Sequence, residues 1–277
     1  MEIPKRKLGR TGIDVTVLGL GGEGVLRTFD RDREAYDLIN RAIDLGLNYF
    51  ESARAYSGSE AYYGRALAER RNEIFLASKS HARDKKGALS HLHETLRNMK
   101  TDHLDLWQVH DVRTEAEVQE IFGSGGAIEA FIEAKEKGLT RYIGVTGHHD
   151  PFITSQCLDI FDFDTVLIPV NPAEQVHKSY ISAILPLAHE RNMGIIAMKV
   201  YLRGFAGKIP GFTGMEPFYR YALSHPVTTA VIGCDDLHQL EENAGFANGF
   251  KPLHEEERLA LEDFVAPYAR QLMYYKP

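Results

Sequence analysis

Apolar residues recur along the chain in two alternating rhythms. Between positions 30 and 45, Ala35, Leu38, Ile39, Ala42 and Ile43 stand three or four residues apart, which places them on one stripe of an amphipathic helix. Gly46 follows, where glycine readily takes the left-handed conformation that closes a helix. The next residues, Leu47-Asn48-Tyr49-Phe50, read as a short buried strand. The same order of helix, glycine and strand returns at 129–137, Gly138 and 142–145, and again at 184–192, Gly194 and 195–198. Three copies of one device predict a repeated helix–strand unit and a parallel sheet.

Apolar runs predict strands at 15–20, 47–50, 74–78, 104–109, 142–146, 165–170, 195–198 and 229–232, with helical patterns between nearly all of them. Eight strands with intervening helices in about 250 residues fit a (β/α)8 TIM barrel better than an open doubly wound sheet. The glycine-rich stretch at 122–126 reads as a loop inside one connection, so residues 1–277 are expected to form a single domain. The segment 255–272 predicts one terminal amphipathic helix, which leaves little chain for a long substrate loop and implies an open site.

Composition narrows the function. With 32 Lys and Arg against 39 Asp and Glu, the net charge is −7, and no basic cluster points to nucleic acid or an anionic membrane. No apolar run approaches the roughly 20 residues of a membrane span, and the N-terminus has no apolar signal core, so a cytoplasmic protein is expected. Two cysteines, Cys157 and Cys234, supply neither a disulfide framework nor an iron–sulfur cluster. Redox chemistry, if present, uses something other than sulfur.

In a barrel of this kind the site lies where strands end at the C-terminal face. The strand at 47–50 runs into Glu51, with Tyr56 five residues on; the next two end at Lys79 and His110. Adjacent strands thus bring an acid, a phenol, an ammonium and an imidazole to one small volume. A lysine beside a tyrosine favours the phenolate, and a carboxylate keeps the ammonium charged and placed, so a lowered phenol pKa is expected. A neighbouring imidazole can hydrogen-bond a carbonyl oxygen. No serine in a strained elbow and no cysteine lies on these strands, so acyl transfer lacks its nucleophile. Proton donation to a polarised carbonyl needs a reductant from elsewhere.

The segments that carry these residues resemble the aldo-keto reductase family, in its form without a ferredoxin-like extension, along nearly the whole chain. They include Lys7-Leu8-Gly9-Arg10-Thr11-Gly12, the run from Asn48 through Glu51 to Tyr56, Leu76-Ala77-Ser78-Lys79, Leu104-Asp105-Leu106-Trp107-Gln108-Val109-His110, and Val231-Ile232-Gly233 through Asn243. The resemblance implies a barrel enzyme that binds an extended nicotinamide dinucleotide and passes hydride to an aldehyde or ketone. It makes Tyr56 the general acid, Lys79 its partner and His110 the residue that orients the carbonyl. Glu51 stands where aspartate is usual and pairs with Lys79 at shifted geometry. Around the nicotinamide it assigns Gly22, Thr146, Gly147 (where Asn is usual), His148, Asn171 and Met198, with Leu167 where Gln is usual. Lys199 and Arg203 are implied pyrophosphate partners. Gly233, Asp235, Gln239 and Asn243 form the adenosine end, with a helix start that receives the 2′-phosphate of NADP. The basic residues common there are missing, and Asp235 and Asp236 leave NAD open. Phe29, Trp107, Tyr274 and Tyr275 are expected at the mouth of a pocket for the small-molecule aldehyde or ketone.

Two other readings compete. A metal-dependent hydrolase would ligate an ion with His110, His148, His149 and Glu51, although the strand at 15–20 lacks the paired histidines such barrels present. A non-catalytic nicotinamide sensor would bind the cofactor and reduce nothing.

Overall fold

Parallel strands pair in chain order until the sheet meets itself. In the computed structural model, which describes residues 2–277, β1 (Lys5–Lys7) and β2 (Asp14–Thr16) form an antiparallel hairpin. A closed barrel follows, built from β3 (Leu18–Gly24), β4 (Tyr49–Glu51), β5 (Phe75–Ser80), β6 (Leu104–Val109), β7 (Thr140–Thr146), β8 (Thr165–Pro169), β9 (Gly194–Met198) and β10 (Thr229–Cys234). This is the (β/α)8 architecture expected from the periodicity.

One boundary moves. The strand predicted at 15–20 is divided between β2 and β3, because Lys5–Lys7 pairs with Asp14–Thr16. The hairpin turns Val15 and Leu8 into a plug, packed with Tyr49, Phe75 and Leu106 inside the barrel.

Strand side chains alternate between two environments. Phe50, Leu76 and Trp107 face outward into the helix layer, while Tyr49, Phe75, Ala77, Leu106, Leu167 and Ile196 fill the interior. The helix Asp32–Asp44 buries the five apolar residues of its predicted stripe. The outward register of Trp107 overturns its expected place at the pocket mouth. It is fully buried and stacks on Phe131 with ring centroids 3.7 Å apart. The predicted terminal helix is also divided: Glu255–Val265 ends where Pro267 enters a short 3-10 turn, and Ala269–Leu272 adds one more turn.

Candidate functional site

Two residues beyond the apolar layer, the inward side chains change from hydrocarbon to polar. Tyr49 gives way to Glu51, Ala77 to Lys79 and Leu106 to Gln108, with Lys79 and Gln108 opposite each other in register. Glu51 Oε1 stands 2.7 Å from Lys79 Nζ, and the two residues are 3% and 1% exposed. Lys79 also donates to the Ser52 carbonyl at 2.8 Å. The other Glu51 oxygen accepts from the Tyr49 hydroxyl at 3.3 Å and from Gln108 Nε2 at 3.2 Å. Glu51 therefore joins the ammonium to the Tyr49 hydroxyl one layer down and to Gln108 in its own layer.

Tyr56 lies in the loop after β4, with Lys79 Nζ 5.0 Å and the Arg27 guanidinium 4.9 Å from its ring centre. The His110 ring meets it edge-on at 5.8 Å. The four side chains expected to converge do so, but the phenol is tuned in the opposite direction to the one expected. Burial, and after it the charge of Glu51, push the Tyr56 pKa well above its ordinary value. The ammonium that was to favour phenolate is already matched by the carboxylate. Tyr56 thus keeps its proton. Burial, then Lys79, pull His110 well below the usual histidine range, leaving a neutral ring whose buried Nδ1 has no partner among the described residues.

Two cavities, of about 570 and 650 Å³, meet at this group. Glu23, Arg27, Tyr56, Met198, Lys199 and Arg203 border both. The first runs past Gly22 and Gly233 to Asp235, Gln239 and Asn243. A Cβ on Gly22 would stand 2.8 Å from Tyr56 Cδ2, and one on Gly233 would stand 2.8 Å from the Glu23 backbone. Only glycine permits that approach, and it leaves backbone lining the cavity. Arg27, Lys199 and Arg203 supply cations along its side. Burial draws the Lys199 pKa down to about 8. Arg203 is held by Glu23 at 3.2 Å. This glycine floor with flanking cations fits a dinucleotide pyrophosphate.

The adenosine end departs from expectation. The helix Leu237–Asn248 was to offer free amides to a phosphate, yet Asp236 caps the Gln239 amide at 2.8 Å and Gln239 Oε1 takes the Asp235 amide at 2.9 Å. Side chains of this chain already occupy the anion-binding position. Asn243 borders the cavity and donates to the Gln239 carbonyl at 2.7 Å.

The second cavity holds Lys79, His110, Thr146, His148 and Leu167, closed on one side by Tyr274 and Tyr275. The open mouth expected from the short chain end is thus partly walled. Lys276 Nζ meets Glu174 at 2.6 Å, the Tyr275 hydroxyl donates to Glu174 at 2.8 Å, and Asn171 Nδ2 donates to that hydroxyl at 3.1 Å. Asn171 is therefore withdrawn from the nicotinamide role: it is fully buried, its amide latches the tail, and its Oδ1 accepts from the Ala173 amide. Phe29 is 69% exposed and borders neither cavity.

Gly147 explains its own departure from asparagine. A Cβ there would lie 2.2 Å from Thr154 Oγ1 and 3.1 Å from the Tyr180 hydroxyl. Gly147→Ala is expected to cost about 1–3 kcal/mol by overpacking. Adding Thr154→Ala should recover most of that, since the nearest Thr154 carbon is 3.5 Å away. Thermal denaturation of the single and double variants checks it; equal losses in both would refute the clash. Thr146 Oγ1, meanwhile, accepts from the Asp111 amide at 2.7 Å.

Sequence reasoning missed Asp111, Gln108, Arg27 and the Glu174–Lys276 latch. Gln108 and Asp111 were legible as neighbours of His110 on and after β6. No local pattern announces an ion pair between residues 102 positions apart.

The family model for the Aldo/keto reductase family matches residues 17–210. The chain is 25% identical to the uncharacterized oxidoreductase YqkF of Bacillus subtilis (strain 168), covering 93% of this chain and 95% of that protein. Its fold is similar to aldo-keto reductase AKR11C1 from Bacillus halodurans, with a TM-score of 0.80, 23% identity, and 95% and 96% of the two chains covered. An aldo-keto reductase from Klebsiella pneumoniae, solved in complex with NADPH, superposes with a TM-score of 0.76 at 21% identity, covering 96% of each chain.

Proposed function

Since the chain belongs to the aldo/keto reductase family of oxidoreductases, we propose that it reduces a small aldehyde or ketone at the junction of its two cavities, using a nicotinamide dinucleotide. The observation that carries this reading is the convergence of Glu51, Lys79, Tyr56 and His110 where those cavities meet. A reduced nicotinamide, when bound, supplies the hydride. Arg27, Lys199 and Arg203 hold the pyrophosphate, and Met198 packs at the junction. On the other side, neutral His110 hydrogen-bonds the carbonyl oxygen and Tyr56 donates the proton to it. Glu51 fixes Lys79 beside the ring, and the phenol, protonated across neutral pH, gives its proton to the oxygen that gains charge as the hydride arrives.

The carboxylates at the adenosine end argue that the nucleotide choice is loose. Asp235 and Asp236 oppose a 2′-phosphate and can accept from a free ribose hydroxyl, while the Klebsiella relative was solved with NADPH. NADPH and NADH are expected to bind with affinities within about tenfold of each other, about 1.4 kcal/mol. Affinity for either should fall as pH rises through about 8, because Lys199 loses its charge there. Isothermal calorimetry across pH tests this. Failure of both nucleotides to bind would overturn the reading, and a pH-independent affinity would remove Lys199 from it.

A further inference from the structure

The second cavity contains a donor cluster to which the proposed proton and hydride transfer gives no role, apart from the nicotinamide contact that the family resemblance implies for His148. Asp111, just past β6, brings Oδ1 to 3.2 Å from His148 Nε2 and 3.9 Å from His149 Nε2, both in the loop after β7. One donor atom from each of the three residues lies within 4.8 Å of the other two. Asp111 is 8% exposed, and its Oδ1 has no hydrogen-bond partner among the described residues. An unpaired buried carboxylate oxygen is costly, and this one faces two imidazoles. Its position is imposed from outside the cluster. Arg113 takes Oδ2 at 2.6 Å, the Asp111 amide donates to Thr146, and Arg83 donates to the Asp111 carbonyl at 2.8 Å.

We propose that Asp111, His148 and His149 form a three-ligand site for a divalent transition metal of the zinc class, on the wall of the second cavity. Two imidazoles and one carboxylate suit zinc, cobalt or nickel, whereas magnesium and calcium require more oxygen donors. Donors about 2.1 Å from a tetrahedral ion stand roughly 3.4 Å apart, so the observed separations need shifts of only tenths of an ångström for the Asp111–His pairs. Three protein ligands leave a position open toward the cavity, as in zinc sites that take a water or substrate oxygen. Arg113 keeps Oδ2, so Asp111 binds through Oδ1 alone. The positive charges of Arg113 and Lys199 weaken the site, and a dissociation constant on the order of micromolar is expected.

The ligand set stands whether or not a carbonyl is reduced beside it, and its test reads the metal directly. The full-length protein, freed of metal with a chelator, is titrated with Co²⁺ while ligand-field absorption is followed. One equivalent should bind and give an absorption band, which Zn²⁺ then displaces. Asp111→Asn, His148→Gln and His149→Gln should each weaken binding at least tenfold, and His238→Gln, on an exposed helix position, should not. Far-UV circular dichroism of each variant secures the fold, and the conservative His149→Gln change serves if either of the other two unfolds. Absence of a band at millimolar Co²⁺, or unchanged affinity in the folded variants, overturns the site.

Discussion

Tyr56→Phe is expected to lower kcat for carbonyl reduction by roughly 10²- to 10⁴-fold, the range for loss of a positioned general acid. That corresponds to about 3–5.5 kcal/mol of barrier. The phenol borders both cavities, and burial with Glu51 holds its proton in place across neutral and alkaline pH. Phenylalanine keeps the ring that packs under Arg27 and Lys79, so dinucleotide affinity should stay within about twofold and the loss should appear in kcat. Steady-state kinetics with parallel calorimetry separate the two quantities. A variant that retained half of the wild-type kcat would place the proton donor elsewhere, and His110, edge-on to the same ring, would become the candidate.

The second large effect concerns stability. Lys79→Met removes the ammonium 2.7 Å from Glu51 and leaves that carboxylate with only the Tyr49 hydroxyl and the Gln108 amide. An uncompensated buried charge costs about 3–5 kcal/mol. In a chain of this length that lowers Tm by roughly 10 °C. Combining Lys79→Met with Glu51→Gln removes the orphaned charge and keeps an amide to meet Tyr49 and Gln108. The double variant should regain most of the lost stability while remaining inactive. Thermal denaturation of the single and double variants measures the coupling; equal stability of the two would show that the pair is not energetically linked.

The fold was legible because its signal is periodic. The stripe Ala35, Leu38, Ile39, Ala42 and Ile43 is a local pattern, as are Gly46 and Gly138, which take the left-handed conformation after their helices; at the third copy Asn192 takes it instead and Gly194 opens β9. Parallel strands buried on both faces leave continuous apolar runs. The division of 15–20 was hidden because Val15 is apolar whether it lines a barrel wall or plugs a mouth; only pairing with Lys5–Lys7 distinguishes them. Glu51, Tyr56, Lys79 and His110 were legible because the barrel fixes which end of each strand bears the site. The resemblance sharpened their roles, but it misjudged the surroundings. Asn171 is consumed by a latch to a residue 104 positions away, and the helix start at Asp236 is capped from within. The direction of the Tyr56 shift depended on burial, which the order of residues does not show. Trp107 follows from parity alone, since Gln108 beside it faces Glu51 inside the barrel.

Under the proposed reduction, hydride from a nicotinamide and a proton from Tyr56 reach one carbonyl. The most direct measurement supplies the protein with nucleotide deuterated at the transferable position of C4 and an aromatic aldehyde, and reads the product by nuclear magnetic resonance. One deuterium at the former carbonyl carbon, formed by the wild type and not by Tyr56→Phe at equal nucleotide saturation, is the predicted result. Nucleotide bound at saturation, with no deuterium reaching any aldehyde or ketone offered, would contradict it and leave a barrel that binds the dinucleotide without turning it over.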